Sequence, residues 1–296
     1  MTQPVSSIVT HPGGAHKDDF LACCLSLAFH PVEIFRREPS PHDLAAPAVC
    51  VVDVGGEHDP ARRNFDHHQF DKDHPPICAL SLVLQNHGLY DDALAFCEWL
   101  TTAEWLDARG PVVTAAHLGV DRDLLAKLNS PIDMTLIRRF SQATVLKPGE
   151  PLWEVMRWIG EDLVAYLGSL RDRLRALADA VEFWKLETPG GEVFEALFVA
   201  RTEFMPSDPS FGLDRFVAEQ GAEERVLALV YPDRRGLGYG LSRFRDSALL
   251  NFAPLEAEED VHFAHKQGFV AKTSATSPER LKELLIKARG FASAPK

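Results

Sequence analysis

The chain has 296 residues, a net charge of −12, and 46% hydrophobic against 25% charged residues. That is the profile of a soluble globular protein of one large or two medium domains, and the acidic balance argues against nonspecific duplex binding through a broad basic surface. No run approaches the roughly 18 apolar residues of a membrane span, and the first residues lack the basic and apolar regions of a secretory signal, so a cytoplasmic protein with no membrane partner is expected.

Residues 5–10, VSSIVT, are short and β-branched and run straight into HPGG, which predicts a strand ending in a loop. DDFLACCLSLAFH predicts a helix with Asp18 and Asp19 favourably placed at its N-terminus. VEIFRRE predicts a second strand. AVCVVDVGG predicts a third, a continuous apolar run ending in Asp and two glycines, as in a buried parallel strand. PICALSLVLQNHG and DDALAFCEWLTTAEWLDARG predict helices. Alternating strands and helices imply an α/β fold with a mainly parallel sheet. Ligands of such sheets bind outside the carboxyl ends of the strands, where His11 and Asp53 fall.

From Asp121 to Leu186 the pattern is helical, with apolar positions three and four apart in LWEVMRWIGEDLVAYLGSLRDRLRALADAVEFW. Trp153, Trp158 and Trp184 are expected in the core. After TPGGEV, the segments FEALFVA, RVLALVYP and VHFAHKQGFVAKT predict strands, and SPERLKELLIKARG predicts a closing helix. The expected organisation is a catalytic domain over 1–120, a helical connector completing it over 121–186, and a smaller α/β domain over 187–296, with the boundary near Pro189-Gly190-Gly191. The five cysteines, Cys23, Cys24, Cys50, Cys78 and Cys97, are odd in number, form no CxxC pair and lie among apolar residues. They read as small buried hydrophobes, not as a zinc–thiolate site.

His and Asp concentrate in three segments: His11-Pro-Gly-Gly-Ala-His16-Lys-Asp18-Asp19, Asp53-Val-Gly-Gly, and Phe65-Asp66-His67-His68-Gln69. Asp107, in AEWLDARG, is a fourth candidate. Two divalent cations a few ångströms apart need several anionic or imidazole ligands, one of them bridging. Oxygen and nitrogen donors without thiolate suit Mn, Mg, Co or Zn. Tight glycine loops turn such ligands inward. Each segment alone is a weak signal; the ordered set is a specific one. Asp59 and Asp71 read as loop or surface acids, and His30, His42, His58, His74, His87, His117 and His262 carry no separate signal.

This order and spacing resembles the DHH phosphoesterase superfamily, and within it the MYG1 (UPF0160) family. The family's H-x-G-x-x-H-x-D-E, D-V-G-G-x-x-D and F-D-H-H-Q stand here as His11 to Asp19, Asp53 to Asp59, and Phe65 to Gln69. Its F-V-H-x-x-G-F segment is matched by His265, Gly268 and Phe269. The chain departs from the family in having Asp19 for Glu, Pro12 to Ala15 for D-G-[ST]-F, and Ala271-Lys272 for a Gly-Gly pair. Its D-A-I-D-N-G segment is reduced to Glu104–Gly110, so that Asp107 is a match by inference.

The resemblance implies a DHH-type N-terminal domain that binds two divalent ions, Mn foremost. One would be held by His11, His16 and Asp53, the other by Asp18, Asp53, His67 and Asp107, with Asp53 bridging. It gives His68 a place beside the phosphate or leaving group, and Asp66 a supporting role behind the histidines. Catalysis is thereby expected of Asp53, His68 and Asp66. Substrate would be gripped by His68, His265, Lys272, Arg243 and Arg245, with Arg234 and Arg235 as further candidates. The implied substrate is single-stranded RNA trimmed from its 3′ end, or a short oligonucleotide, with a homo-oligomer compatible. Two other readings keep the same residues: a phosphatase or pyrophosphatase on a small compound, and a catalytically silent metal-binding regulator.

Overall fold

A computed structural model describes residues 3–127, 130–203 and 206–291, and the chain divides into two compact units, residues 1–168 and 169–296.

The first unit opens with β1 (Ser7–Thr10), α1 (Lys17–Phe29), β2 (Glu33–Arg36), α2 (Pro41–Ala45), β3 (Val49–Val52), β4 (His58–Asp59) and β5 (Asn64–Phe65). Helices α3 (Ala79–Asn86), α4 (Tyr90–Phe96), α5 (Glu98–Leu118), α6 (Arg122–Lys127) and α7 (Pro131–Gln142) follow, then β6 (Val145–Leu146) and α8 (Pro151–Ala178). The sheet order is β4-β5-β3-β1-β2-β6. β1 pairs in parallel with β2 and β3, and β3 with β5, while β4 and β6 are antiparallel edges. The mainly parallel α/β sheet expected from the sequence is present. β1 lies between β2 and β3, so the chain crosses over it on the way from β2 to β3. That is a topological switch point, where a cleft opens beyond the strand ends.

Burial explains the local structure. β3 is buried at every position, as suits a central parallel strand. α1 buries Phe20, Ala22, Cys23, Cys24, Leu25 and Leu27, residues spread around most of its circumference. All five cysteines are buried free thiols. Trp153, Met156, Gly160, Leu167, Leu170, Leu174 and Leu177 form the buried stripe of α8. Trp158 lies off that stripe and is exposed, against expectation.

α8 runs across the division. The second unit continues with β7 (Val181–Glu187), β8 (Val193–Val199), α9 (Leu213–Glu219), β9 (Val226–Pro232), β10 (Tyr239–Arg243), β11 (Val261–Ala264), β12 (Val270–Thr273) and α10 (Pro278–Gly290). Its sheet has the order β11-β12-β10-β9-β8-β7 and is antiparallel except for β8 and β9. The sequence reading carried the helical segment through to residue 186, but α8 ends at Ala178 and VEFWKLE is a strand. Its Trp184 and Leu186 are buried while Lys185 and Glu187 face out, the two-residue period of a sheet. Pro189-Gly190-Gly191 is therefore the turn between β7 and β8, with Gly191 at φ 82°, and not a linker between domains.

Candidate metal centre

His11 follows β1 directly and Asp53 follows β3 directly, so the sheet delivers both to the same end of adjacent strands. Asp53 takes a left-handed φ of 57°, a region costly for a side chain with a Cβ. The turn is held by the Asp53 amide donating to the Phe65 carbonyl at 3.0 Å. Asp66 anchors the next turn. Its carboxylate accepts from the Gly56 amide at 2.6 Å and from the His68 amide at 3.0 Å, and it lies 2.7 Å from His68 Nδ1. α1 supplies Asp18, and α5 supplies Asp107.

These groups converge. His67 Nε2 lies 2.7 Å from Asp107 Oδ2 and 3.3 Å from Asp53 Oδ1. His11 Nε2 lies 3.5 Å from Asp53 Oδ2 and 3.1 Å from Asp19 Oδ2. His16 Nδ1 is 3.9 Å from Asp107 Oδ1, and His68 Nδ1 is 3.8 Å from Asp53 Oδ1. Two sets have ligand atoms within 4.8 Å of one another: Asp53, His67 and His68, and His16, Asp18 and Asp107. The partition differs from the one implied by the resemblance. His68 joins Asp53 and His67, His16 joins the Asp18 side, and His11 faces Asp19 as well as Asp53.

Whether these residues suit a cation can be tested on their unmet needs. Asp18 Oδ1 and Oδ2 are buried with no hydrogen bond made, and the buried Asp53 Oδ1, His67 Nε2 and Asp107 Oδ2 meet only as the close charge contacts given above. Buried carboxylate oxygens are costly to leave unpaired, and a divalent cation satisfies several at once. The donor set, all oxygen and nitrogen, matches a hard or borderline ion.

The ion-free electrostatics show the same crowding. Burial, then the neighbouring Asp53 and Asp107, push Asp18 well above the usual carboxylate range. Burial also raises Asp53. Burial works against the charge on Asp107, but the His67 ring beside it prevails and lowers its pKa. Burial would lower His67, yet Asp107 and Asp53 outweigh it and raise the imidazole to about 10. Asp19 raises His11 to about 9 against burial. Burial opposes the charge on Asp66 as well, and the amides of His68 and Gly56 overcome it to lower its pKa.

Two hollows flank His68. One, of about 210 Å³, is lined by His67, His68, Lys72, His74, Asp107 and Arg109 among others. The other, of about 400 Å³, is lined by His11, His16, Asp53, Gly55, Asp66 and His68 among others. Lys72 and Arg109 were not read from the sequence as site residues, although Arg109 stands two positions after Asp107.

In the second unit the candidate contacts separate. Lys272, Arg234 and Arg235 line a hollow of about 500 Å³ together with Tyr231, Asp233 and Ser210. Lys272 Nζ donates to Asp233 Oδ1 at 3.0 Å. Lys272 on β12 pairs with Gly240 on β10, which pairs with Tyr231 on β9. A Cβ on Gly240 would sit 2.7 Å from the Tyr231 ring, so the absence of a side chain there lets the ring lie across the sheet. His265 instead lines another hollow, of about 520 Å³, and its ring lies 4.0 Å from that of Phe269. Arg243 pairs with Asp246 at 3.0 Å, and Arg245 lies 3.7 Å from Glu223.

Comparison with known proteins follows the same residues. The model of an uncharacterised protein family (UPF0160), MYG1_exonuc, matches residues 7–84. Two curated relatives called MYG1 exonuclease, from Bos taurus and Homo sapiens, are 48% and 46% identical over 65 residues. That stretch is 21% of this chain and 16% and 17% of the two relatives, so the match spans less than a fifth of their length. A solved chain described as a DHH domain from a member of the s1p family of ribosomal proteins aligns over 98% of this chain and 88% of its own, at 14% identity and a TM-score of 0.32. The family match contains every candidate ligand except Asp107.

Proposed function

We propose that this chain is a divalent-metal-dependent phosphodiesterase, a 3′–5′ exonuclease on RNA or short oligonucleotides, with its active centre in the first unit. One observation carries the reading: buried carboxylate oxygens of Asp18, Asp53 and Asp107 crowd around His67 Nε2 beyond the carboxyl ends of β1 and β3, those of Asp18 with no hydrogen bond made. The family match over residues 7–84 supports it.

His11, His16, Asp18, Asp53, His67 and Asp107 would hold two divalent ions, Mn foremost, with Asp53 central because both of its oxygens face imidazoles. Such ions, when bound, supply Lewis acidity to a phosphoryl group and a nucleophile drawn from water at neutral pH. Asp66 fixes His68 through Nδ1, which leaves Nε2 to hold or deliver a proton at the leaving oxygen. Arg109 and Lys72, at the wall of the smaller hollow, offer positive charge to a phosphate. Lys272, Arg234 and Arg235 offer charge to a further phosphate in the second unit, and Tyr231 offers a face on which a base can stack.

The test is hydrolysis of a short 5′-labelled RNA with Mn²⁺, Mg²⁺ or Co²⁺. The proposal expects stepwise shortening with release of nucleoside 5′-monophosphates, stopped by chelator. Asp53→Asn and His67→Ala are expected to lose at least a hundredfold in rate while staying folded, the scale of loss for a group that holds the catalytic charge in place. Rapid phosphate release from pyrophosphate or nucleotides with RNA untouched would move the substrate to a small phosphorylated compound. No hydrolysis of either kind would leave a metal-binding regulator and contradict the proposal.

A further inference from the structure

Arg36 closes β2 and is the buried cation nearest the site. Its side chain is wholly shielded from solvent, as is that of Asp19, whose Oδ2 lies 3.7 Å from Arg36 Nη2. The guanidinium donates to three backbone carbonyls, Gly13 at 3.2 Å, Gly14 at 3.2 Å and Phe140 at 2.9 Å, and lies 4.5 Å from the centre of the Phe140 ring. Gly13 and Gly14 are the middle of the loop between His11 and His16, and Gly13 holds a φ of 84°. One planar fork thus ties that loop to α7.

Asp19 completes the brace. Its Oδ1 accepts from the His16 and Phe20 amides, both at 2.8 Å, and its Oδ2 faces His11 Nε2 at 3.1 Å. His11 Nδ1 lies 3.0 Å from the Pro12 carbonyl, a contact that favours a proton on Nδ1 and leaves Nε2 for a ligand. Asp19 therefore holds the backbone of His16 through its amide and lies against His11 on the Nε2 side, where a ligand would also approach. A buried charge is costly, and an apolar side chain would fill the same space at less cost. What an apolar residue would not do is donate to two glycine carbonyls while facing a carboxylate.

We infer that Arg36 is a positioning residue for the metal centre, acting through Asp19 and the Gly13–Gly14 carbonyls to set His11 and His16. The inference rests on the metal reading of the site. Its test is Mn²⁺ affinity by titration calorimetry on the full chain, alongside the melting temperature of each variant in chelator. The variants are Arg36→Lys, Asp19→Asn and, as a control, Ile34→Ala, a buried residue two positions earlier on the same strand. Arg36→Lys keeps the charge but loses the fork, and is expected to weaken Mn²⁺ binding on the order of tenfold. Asp19→Asn carries the same expectation and reads the brace from its other end if Arg36→Lys does not fold. Ile34→Ala is expected to lower the melting temperature and leave affinity unchanged. Wild-type affinity in folded Arg36→Lys or Asp19→Asn, or affinity that merely follows the loss of melting temperature across all three variants, would overturn the inference. A wild-type chain that takes up no Mn²⁺ would instead remove the metal reading beneath it.

Discussion

The titrating residues of the site are shifted by burial and by one another. His67 and His11 sit at about 10 and about 9, against 6.5 for a free imidazole, and Asp18 and Asp53 are raised as well. For a group raised in the folded state, the folded chain binds more protons than the unfolded one between the two pKa values, so stability falls as pH rises through that window. In chelator, the first unit is therefore expected to lose stability as pH rises from 6.5 towards 10. With saturating Mn²⁺ the trend should be reversed or flattened, because the ion replaces those protons and binds better as they leave. Urea unfolding at three pH values, with and without the ion, checks this; stability in chelator that rises over the window would contradict it. The motif residues were legible because their spacing is local: His11, His16 and Asp18 lie within one loop and helix start, and Asp66, His67 and His68 are consecutive. Arg36 was not, because its role depends on Gly13 across the sheet and on Phe140, 104 residues away.

At the scale of elements, β1, β2 and β3 were legible as short apolar runs, whereas the two-residue parallel strand β5 was not. β7 was not, because its seven residues follow a 28-residue helix without a break in hydrophobic content, and only the two-residue period marks it. β10 was missed too, being five residues long with Gly240 among them. Close packing of helices leaves even less trace in sequence. Gly160 lies where α8 meets α1, and a Cβ there would fall 1.9 Å from the Cys24 carbonyl oxygen. Gly160→Ala should thus destabilise the chain by about 1–3 kcal/mol through forced separation of the helices, outweighing the roughly 1 kcal/mol by which Ala favours a helix. Urea denaturation of the full chain measures it, and a neutral or stabilised variant would show that α8 does not pack on α1 in this way.

For the molecule as a whole, the acidic charge and the two units divide the problem. The described residues contain no helix long and apolar enough to cross a membrane. Within the first unit a parallel sheet concentrates His and Asp at one end, and in the second an antiparallel sheet presents Lys272 and Tyr231 beside two arginines. The family match covers only the beginning of the first unit, and Asp107 comes from beyond it on a helix that kinks at Gly110. The central claim is that His11, His16, Asp18, Asp53, His67 and Asp107 together hold divalent ions. It is tested most directly by an anomalous difference map from Mn²⁺-loaded crystals of the full chain. Two peaks about 3.5–4 Å apart are expected, one beside Asp53 and His67 and the other beside Asp18 and Asp107. A map with no peak among these residues, or with its strongest peak elsewhere in the chain, would contradict it.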